Sequence, residues 1–160
     1  MTHFRNTLRW SLAAASIAAL AACGNMGASN SNSMSAMDTA ASSTQSFSAT
    51  LSSSAEVPPN TSAGSGTLTA TLDKASNVFT WKVNYSGLTG PATMAHVHGP
   101  AMPGSNAGVV LPFQSAASPI EGSATLTAAQ VADVTAGRWY VNVHTAANPG
   151  GEIRGQLMAK

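Results

Sequence analysis

The chain has 160 residues, only 8% of them charged, and a formal net charge of +1. Its seven basic residues form no run or patch, so nucleic-acid binding lacks its electrostatic requirement and we expect no nucleic-acid partner. The single cysteine excludes a framework of intrachain disulfides, so the folded part must be held together by its core.

The first 22 residues have the pattern of a signal peptide. Arg5 and Arg9 precede an uncharged apolar stretch over residues 10–22, which is too short for a permanent membrane span. The stretch ends in Leu20-Ala21-Ala22-Cys23-Gly24, which resembles a bacterial lipobox. The resemblance implies cleavage before Cys23, lipidation of Cys23 and, with Gly at position 24, an outer-membrane location. We therefore expect a lipid-anchored protein of the bacterial envelope that faces the periplasm.

Residues 23–46 read as the lipidated cysteine followed by a flexible linker rich in Ser, Asn and Ala. The linker has one charge, no aromatic residue and no apolar period, so it cannot bury enough surface to offset its ordering entropy. As a flexible coil it would span about 26 Å between the membrane anchor and a folded domain. That domain is predicted over residues 47–160 and is long enough for one core.

Eight short runs in this domain have the character of β-strands. They alternate apolar and polar residues or are rich in β-branched and aromatic residues, and Gly, Pro, Asn and Ser separate them. This pattern predicts an all-β fold, a Greek-key-like antiparallel sandwich or barrel of about eight strands. The runs are 47–51, 66–72, 78–85, 93–98, 108–113, 120–126, 138–144 and 152–157.

One short helix is predicted near residues 127–137. Thr127 and Gln130 have the spacing of a capping box, and Gly137 can end a helix in a left-handed conformation. Val131 and Val134 lie three residues apart and could pack on the sheet.

Three histidines of the predicted domain form the most specific motif. His96 and His98 are separated by one residue in the run 93–98, and strand side chains alternate, so both point to the same face. His144, with Asn142 and Tyr140, falls on the face opposite Val141 and Val143, which suit the core. Loops 99–106 and 145–151 are placed to cover the three imidazoles. If the two strands are neighbours, the histidines can hold a metal ion.

Three imidazoles suit Cu(II), Zn(II) or Ni(II), and the general affinity order favours copper, with zinc as the other candidate. Met94 or Met102 could add a thioether ligand that favours Cu(I). The alternative is that the histidines only make hydrogen bonds that support loops.

Glu56, Glu152 and Arg154 are the other charges that lie within motifs. Glu152 and Arg154 are two residues apart and would share a strand face, and Glu56 could pair with Arg154 across strands. We interpret the three as structural ion pairs, because an acid–base hydrolase would need two free carboxylates across a cleft. No serine lies in a nucleophile elbow and no catalytic residue is assigned.

Several motifs resemble those of the CHRD domain, a module named after chordin and also found in bacterial secreted proteins. They are Ala55-Glu56-Val57-Pro58-Pro59, Gly87-Leu88, residues 95–100, residues 137–145 and residues 149–157. The resemblance covers nearly all of residues 47–157 and implies little about biochemistry.

A weaker resemblance links the histidine strands to copper-zinc superoxide dismutases. It implies that His96, His98 and His144 correspond to copper ligands. A bridging histidine, the zinc-site cluster and the disulfide are missing from the sequence, so a complete dismutase site is not expected. Two functions remain in view: a periplasmic copper-binding module, or a non-catalytic module that presents loops to an envelope protein.

Overall fold

The structure, a computed structural model, describes residues 43–160, and the regular secondary structure of this part is almost entirely antiparallel strands. The predicted all-β fold with one short helix is confirmed, and each of the eight predicted runs overlaps a strand. The elements are β1 (Thr44–Ser52), a 3₁₀ turn (Ser53–Ala55), β2 (Ser65–Asp73), β3 (Val78–Ser86), β4 (Ala92–His98), β5 (Val109–Pro112), β6 (Ile120–Thr125), α1 (Ala128–Thr135), β7 (Tyr140–Thr145), β8 (Ile153–Gln156) and β9 (Met158–Ala159).

The first strand begins earlier than the sequence pattern indicated. β1 starts at Thr44, because its pairing with β2 continues to Asp73 beyond the alternating apolar residues. The predicted signal peptide, Cys23 and residues 24–42 of the linker lie outside the described residues. The described residues 43–160 belong to one compact unit with its own core, which is long enough to fold independently.

The strands form a single curled sheet in the order β5-β4-β7-β8-β1-β2-β3-β6, with β9 paired to β1. The edge strands β5 and β6 are joined by residues 113–119 alone. Such a connection spans at most about 27 Å, whereas eight flat strands would be about 34 Å wide, so the sheet has to curl. Phe113, just after β5, stacks on Trp81 of β3 with ring centroids 5.1 Å apart and helps to close the curl.

A cluster of aromatic side chains lies within the core on the inner face of the sheet. Phe79 contacts Phe47 and Trp139 edge-on, at 5.9 Å in each case, and Trp81 at 6.1 Å. Phe47, Phe79 and Trp139 are almost completely buried. Edge-to-face aromatic pairs of this kind add stabilisation beyond the burial of area.

Strand β7 is unusual because all six of its residues are buried. Val141 and Val143 pack in the core, while Tyr140, Asn142 and His144 point to the opposite face. Arg154 and the loops after β4 and β7 cover that outer face. The outer face of β7 is therefore a second buried layer, and its side chains are polar.

The short helix follows the sequence prediction. Thr127 and Gln130 make both hydrogen bonds of a capping box, and Gly137 ends the segment with φ of +69°. Val134 is fully buried and Val131 packs against the core. In the described part of the chain, no helix has the length and apolar character needed to cross a membrane.

We expect Thr127→Ala to lower the free energy of unfolding by about 1 kcal/mol, because the Gln130 amide loses its acceptor at the start of the helix. Urea denaturation of the segment Thr39–Lys160 measures the effect. Thr135→Ala, at an exposed position of the last turn, is the matched control and should change stability by less than about 0.5 kcal/mol. Equal losses in both variants would contradict the role assigned to the cap.

Candidate metal centre

The structure brings the three predicted histidines together. β4 and β7 are paired neighbours, with Met94 opposite His144, His96 opposite Asn142 and His98 opposite Tyr140. One ring nitrogen from each of His96, His98 and His144 lies within 4.8 Å of the others. Metal–nitrogen bonds of about 2.0–2.1 Å imply nitrogen separations of about 3.3–3.6 Å in tetrahedral or trigonal geometry, so the most widely separated rings need to close by about 1.2–1.5 Å around an ion.

His98 has one ring nitrogen engaged and one free. Its Nδ1 lies 3.0 Å from the carbonyl oxygen of Ala107, and because a carbonyl only accepts, Nδ1 carries the proton. In the neutral tautomer that donates to Ala107 the lone pair lies on Nε2, and this atom is buried without a hydrogen-bond partner. The ring is held parallel to Tyr140, at 4.8 Å between centroids. A buried lone pair without a donor is costly unless something binds there.

His144 faces acceptors on both sides of its ring. Nδ1 lies 2.9 Å from the carbonyl oxygen of Pro149, and Nε2 lies 2.9 Å from Oδ1 of Asn142 and 3.2 Å from Nδ1 of His96. A neutral imidazole has one N–H and can satisfy only one carbonyl. The arrangement is satisfied by a second proton, or by a cation on Nε2 while Nδ1 donates to Pro149.

The electrostatics of the cluster oppose a second proton. Burial lowers the pKa of His96, and the nearby His144 and His98 lower it further. Burial also lowers the pKa of His144, assisted by His98 and opposed by the Pro149 carbonyl. Both rings are therefore neutral near pH 7, which is the state that binds a metal ion.

Comparison with known protein families identifies the domain. The family model of the CHRD domain matches residues 47–157, which carry the whole sheet apart from its first residues and β9. The chain belongs to the CHRD domain family. Searches of curated proteins and of solved structures gave no significant match.

Two methionines of the CHRD domain were predicted as additional ligands. Met94 lies opposite His144 in the register of β4 and β7, and Met102 lies in the loop after β4. Their side chains are 48% and 65% exposed, so neither is packed in place beside the histidines. A ligand from Met94 or Met102 stays a prediction.

Arg154 has partners other than the predicted one. Its guanidinium donates to Oδ1 of Asn106 and to the carbonyl of Ser105, and it lies 3.4 Å from the centre of the Tyr140 ring. Tyr140 is thus held between the guanidinium on Arg154 and the imidazole of His98.

The predicted ion pair between Glu56 and Arg154 does not form. The ion pairs within residues 43–160 are Lys82–Glu121 and Arg138–Asp133. Arg154 instead donates to the loop after β4. Burial raises the pKa of Glu56, and the nearby charge of Arg154 only partly offsets that rise.

Glu152 lies in a ring of donors rather than beside a cation. The hydroxyls of Ser62, Thr89 and Thr145 and the backbone amide of Thr89 all donate to its carboxylate. Burial acts to raise its pKa, but these hydrogen bonds outweigh burial and hold the pKa at about 2. β8 begins only at Ile153, so the strand alternation that would place Glu152 beside Arg154 does not reach Glu152.

The sequence argument did not assign roles to several groups that surround the histidines. Asn142 could have been found, because alternation places it beside His144 on one strand face. The carbonyls of Ala107 and Pro149 left no signal, since any residue type supplies a carbonyl. Ser62 and Thr89 are far from Glu152 in sequence, and only the folded chain brings them together.

Proposed function

We propose that this CHRD-domain protein is a metal-binding lipoprotein of the bacterial envelope that holds a copper ion with His96, His98 and His144. The observation that carries the proposal is the Nε2 of His98, which is buried and has no hydrogen-bond partner, in a cluster whose three ring nitrogens lie within 4.8 Å of one another. An ion can bind this lone pair without breaking an existing hydrogen bond.

The hydrogen bonds of the histidines also support the proposal. Metal-binding histidines characteristically donate their second ring nitrogen to a carbonyl, which fixes tautomer and orientation. His98 does this to Ala107, and His144 does it to Pro149. His96 is only half-buried, so it leaves the cluster a route to solvent for entry of an ion.

Copper is favoured over zinc by the donor set. Three imidazoles follow the general affinity order in which Cu(II) exceeds Zn(II). A dismutase activity is not proposed, because the sequence has no histidines for a zinc partner site.

A second candidate function rests on the same backbone hydrogen bonds. The loops that bond to His98 and His144 through Ala107 and Pro149 could be presented to an envelope protein, with the histidines as loop supports. A loop-supporting function does not account for the buried Nε2 of His98, which has no hydrogen-bond partner. The lipid anchor at Cys23 and the outer-membrane location are proposed from the lipobox pattern and apply to both functions.

The test is a titration of the segment Thr39–Lys160 with Cu(II) and, separately, Zn(II) at pH 7. This segment omits Cys23 and so removes its thiol as a competing ligand. We expect one copper ion per chain in the wild type and a loss of affinity of more than about 100-fold in the variant with His96, His98 and His144 all replaced by Ala.

A matched control replaces the exposed Thr69, Thr71 and Thr80 of the opposite half of the sheet by Ala. It should bind copper as the wild type does. Equal copper binding by the wild type and the triple-histidine variant, or binding by neither, would exclude the proposed site and favour the loop-supporting function.

A further inference from the structure

Glu56 is a buried carboxylate that the proposed ligand set does not use. It is 4% exposed, and its Oε1 is buried with no hydrogen-bond partner. No cation pairs with it directly within residues 43–160, and Arg154 acts on it only at longer range. Burying a carboxylate in this way is costly, so its retention at this place calls for a physical reason.

The carboxylate of Glu56 lies beside the side-chain amide of Asn142. Oε1 of Glu56 and Nδ2 of Asn142 both lie close to Gly151. A Cβ at position 151 would collide with Oε1 of Glu56 and lie 2.8 Å from Nδ2 of Asn142. Gly151 has φ of +132°, a conformation that further favours glycine there. The absence of a side chain at position 151 therefore lets the carboxylate and the amide approach each other.

Asn142 in turn is directed at the metal-binding face of His144. A carboxylate attracts the NH₂ end of an amide, which turns Oδ1 of Asn142 to the other side. Oδ1 lies 2.9 Å from Nε2 of His144, the atom that would bind the ion. When the His144 proton is on Nδ1, where it bonds to the Pro149 carbonyl, Nε2 and Oδ1 are two acceptors, and they repel at that distance unless a cation lies beside both.

We infer that Glu56 is a positioning residue for the copper ion: it orients Asn142 so that Oδ1 faces the ion at His144, and its negative charge favours Cu(II) over Cu(I). This inference rests on the proposed copper site. The preference follows from Coulomb's law, because the ionised carboxylate of Glu56 attracts a doubly charged ion more strongly than a singly charged one. The hard amide oxygen acts in the same direction, since Cu(I) prefers soft ligands.

The test compares wild-type Thr39–Lys160 with Glu56→Gln in Cu(II) and Cu(I) affinity, measured by chelator competition, and in midpoint potential. Outer groups that orient metal ligands typically change affinity by 10- to 100-fold. We expect Glu56→Gln to weaken Cu(II) about 10-fold relative to Cu(I), which raises the midpoint potential by about 59 mV. The electron paramagnetic resonance spectrum of Cu(II) should shift while nitrogen hyperfine coupling from the histidines is retained.

Two further variants sharpen the comparison. Glu121→Gln removes an exposed carboxylate on β6 and should leave both affinities unchanged. Glu56→Asp keeps the charge but withdraws it from Asn142 by one methylene, so a smaller shift in the same direction is expected. Glu56→Gln removes a buried carboxylate that has no ion-pair partner, so we expect the variant to fold. If Glu56→Gln does not fold, the affinities and potential of Glu56→Asp provide the test.

The outcomes separate the inference from the function on which it rests. The inference would be overturned if the three histidines bind copper and Glu56→Gln leaves the ratio of Cu(II) to Cu(I) affinity unchanged. If Glu56→Gln does not fold, an unchanged ratio in Glu56→Asp would overturn it. Either result would leave the proposed function intact. A wild type that binds no copper at the histidines would overturn both.

Discussion

Binding of Cu(II) is expected to stabilise the folded domain by about 2.7 kcal/mol when the free ion is at 100 times its dissociation constant, because the ligands are assembled only in the native state. For a domain of this size the melting temperature should rise by about 10 °C. Thermal unfolding of Thr39–Lys160, followed by circular dichroism with and without buffered Cu(II), measures the effect. The expectation depends on three histidines that come from strands β4 and β7, which lie far apart in sequence.

This stabilisation should depend on pH in a defined direction. Metal binding requires neutral imidazoles, and the lowered pKa values of His96 and His144 keep both rings neutral to below the ordinary histidine range. The copper-induced shift should therefore be complete at pH 7 and should fall away only below the ordinary histidine range, where protons compete with the ion. The His96/His98/His144→Ala variant should show no shift at any pH. An equal rise in that variant would assign the stabilisation to other groups.

Glu152→Gln is expected to lower the free energy of unfolding at pH 7 by about 2–4 kcal/mol. The carboxylate accepts from three hydroxyls and one backbone amide, and charge-assisted hydrogen bonds of this kind are about twice as strong as neutral ones. A glutamine keeps the shape but turns an NH₂ group toward donors that then lack an acceptor. Urea denaturation measures the loss, and Glu121→Gln, in an exposed ion pair, is the matched control with an expected loss below about 1 kcal/mol.

The acid stability of the domain provides an independent check on Glu152. Its folded-state pKa of about 2 lies below the ordinary value of 4.5, so its contribution is present above pH 4.5 and is lost as the pH falls toward 2. The wild type should lose up to about 3 kcal/mol over that window through this group. Glu152→Gln has no carboxyl at this position and should lose correspondingly less. Parallel pH profiles for the two proteins would contradict the assignment.

The secondary structure was largely predictable from local patterns. Alternation along β2 and β3 predicts half-buried strands because one face of each packs in the core. The capping box at Thr127 marks the start of the helix, and Gly137 in its left-handed conformation marks the end of the segment. Both signals depend on contacts within a few residues. The short strand β9 and the start of β1 at Thr44 were missed, because backbone pairing places Met158 and Ala159 beside β1 without an apolar pattern.

The predicted charges show where local reasoning fails. The spacing of Glu152 and Arg154 indicated a shared strand face, yet Glu152 lies before β8 and is surrounded by hydroxyls. Arg154 instead covers Tyr140 and holds the loop at Ser105 and Asn106. Partners that lie 48 to 90 residues away leave no local signal, and a buried charge accepts whichever donors the fold brings to it.

The sequence by itself determined the strand alternation that puts His96 and His98 on one face and His144 on the face opposite Val141 and Val143. Those placements follow from the two-residue period of a strand, which needs no knowledge of the neighbours. Only the tertiary structure decided that β4 and β7 are adjacent, that Ala107 and Pro149 fix the tautomers, and that Glu56 reaches Asn142 beside Gly151. The reason is physical: strand order and loop closure depend on the summed packing of the whole core, whereas side-chain alternation depends on the backbone of a single strand.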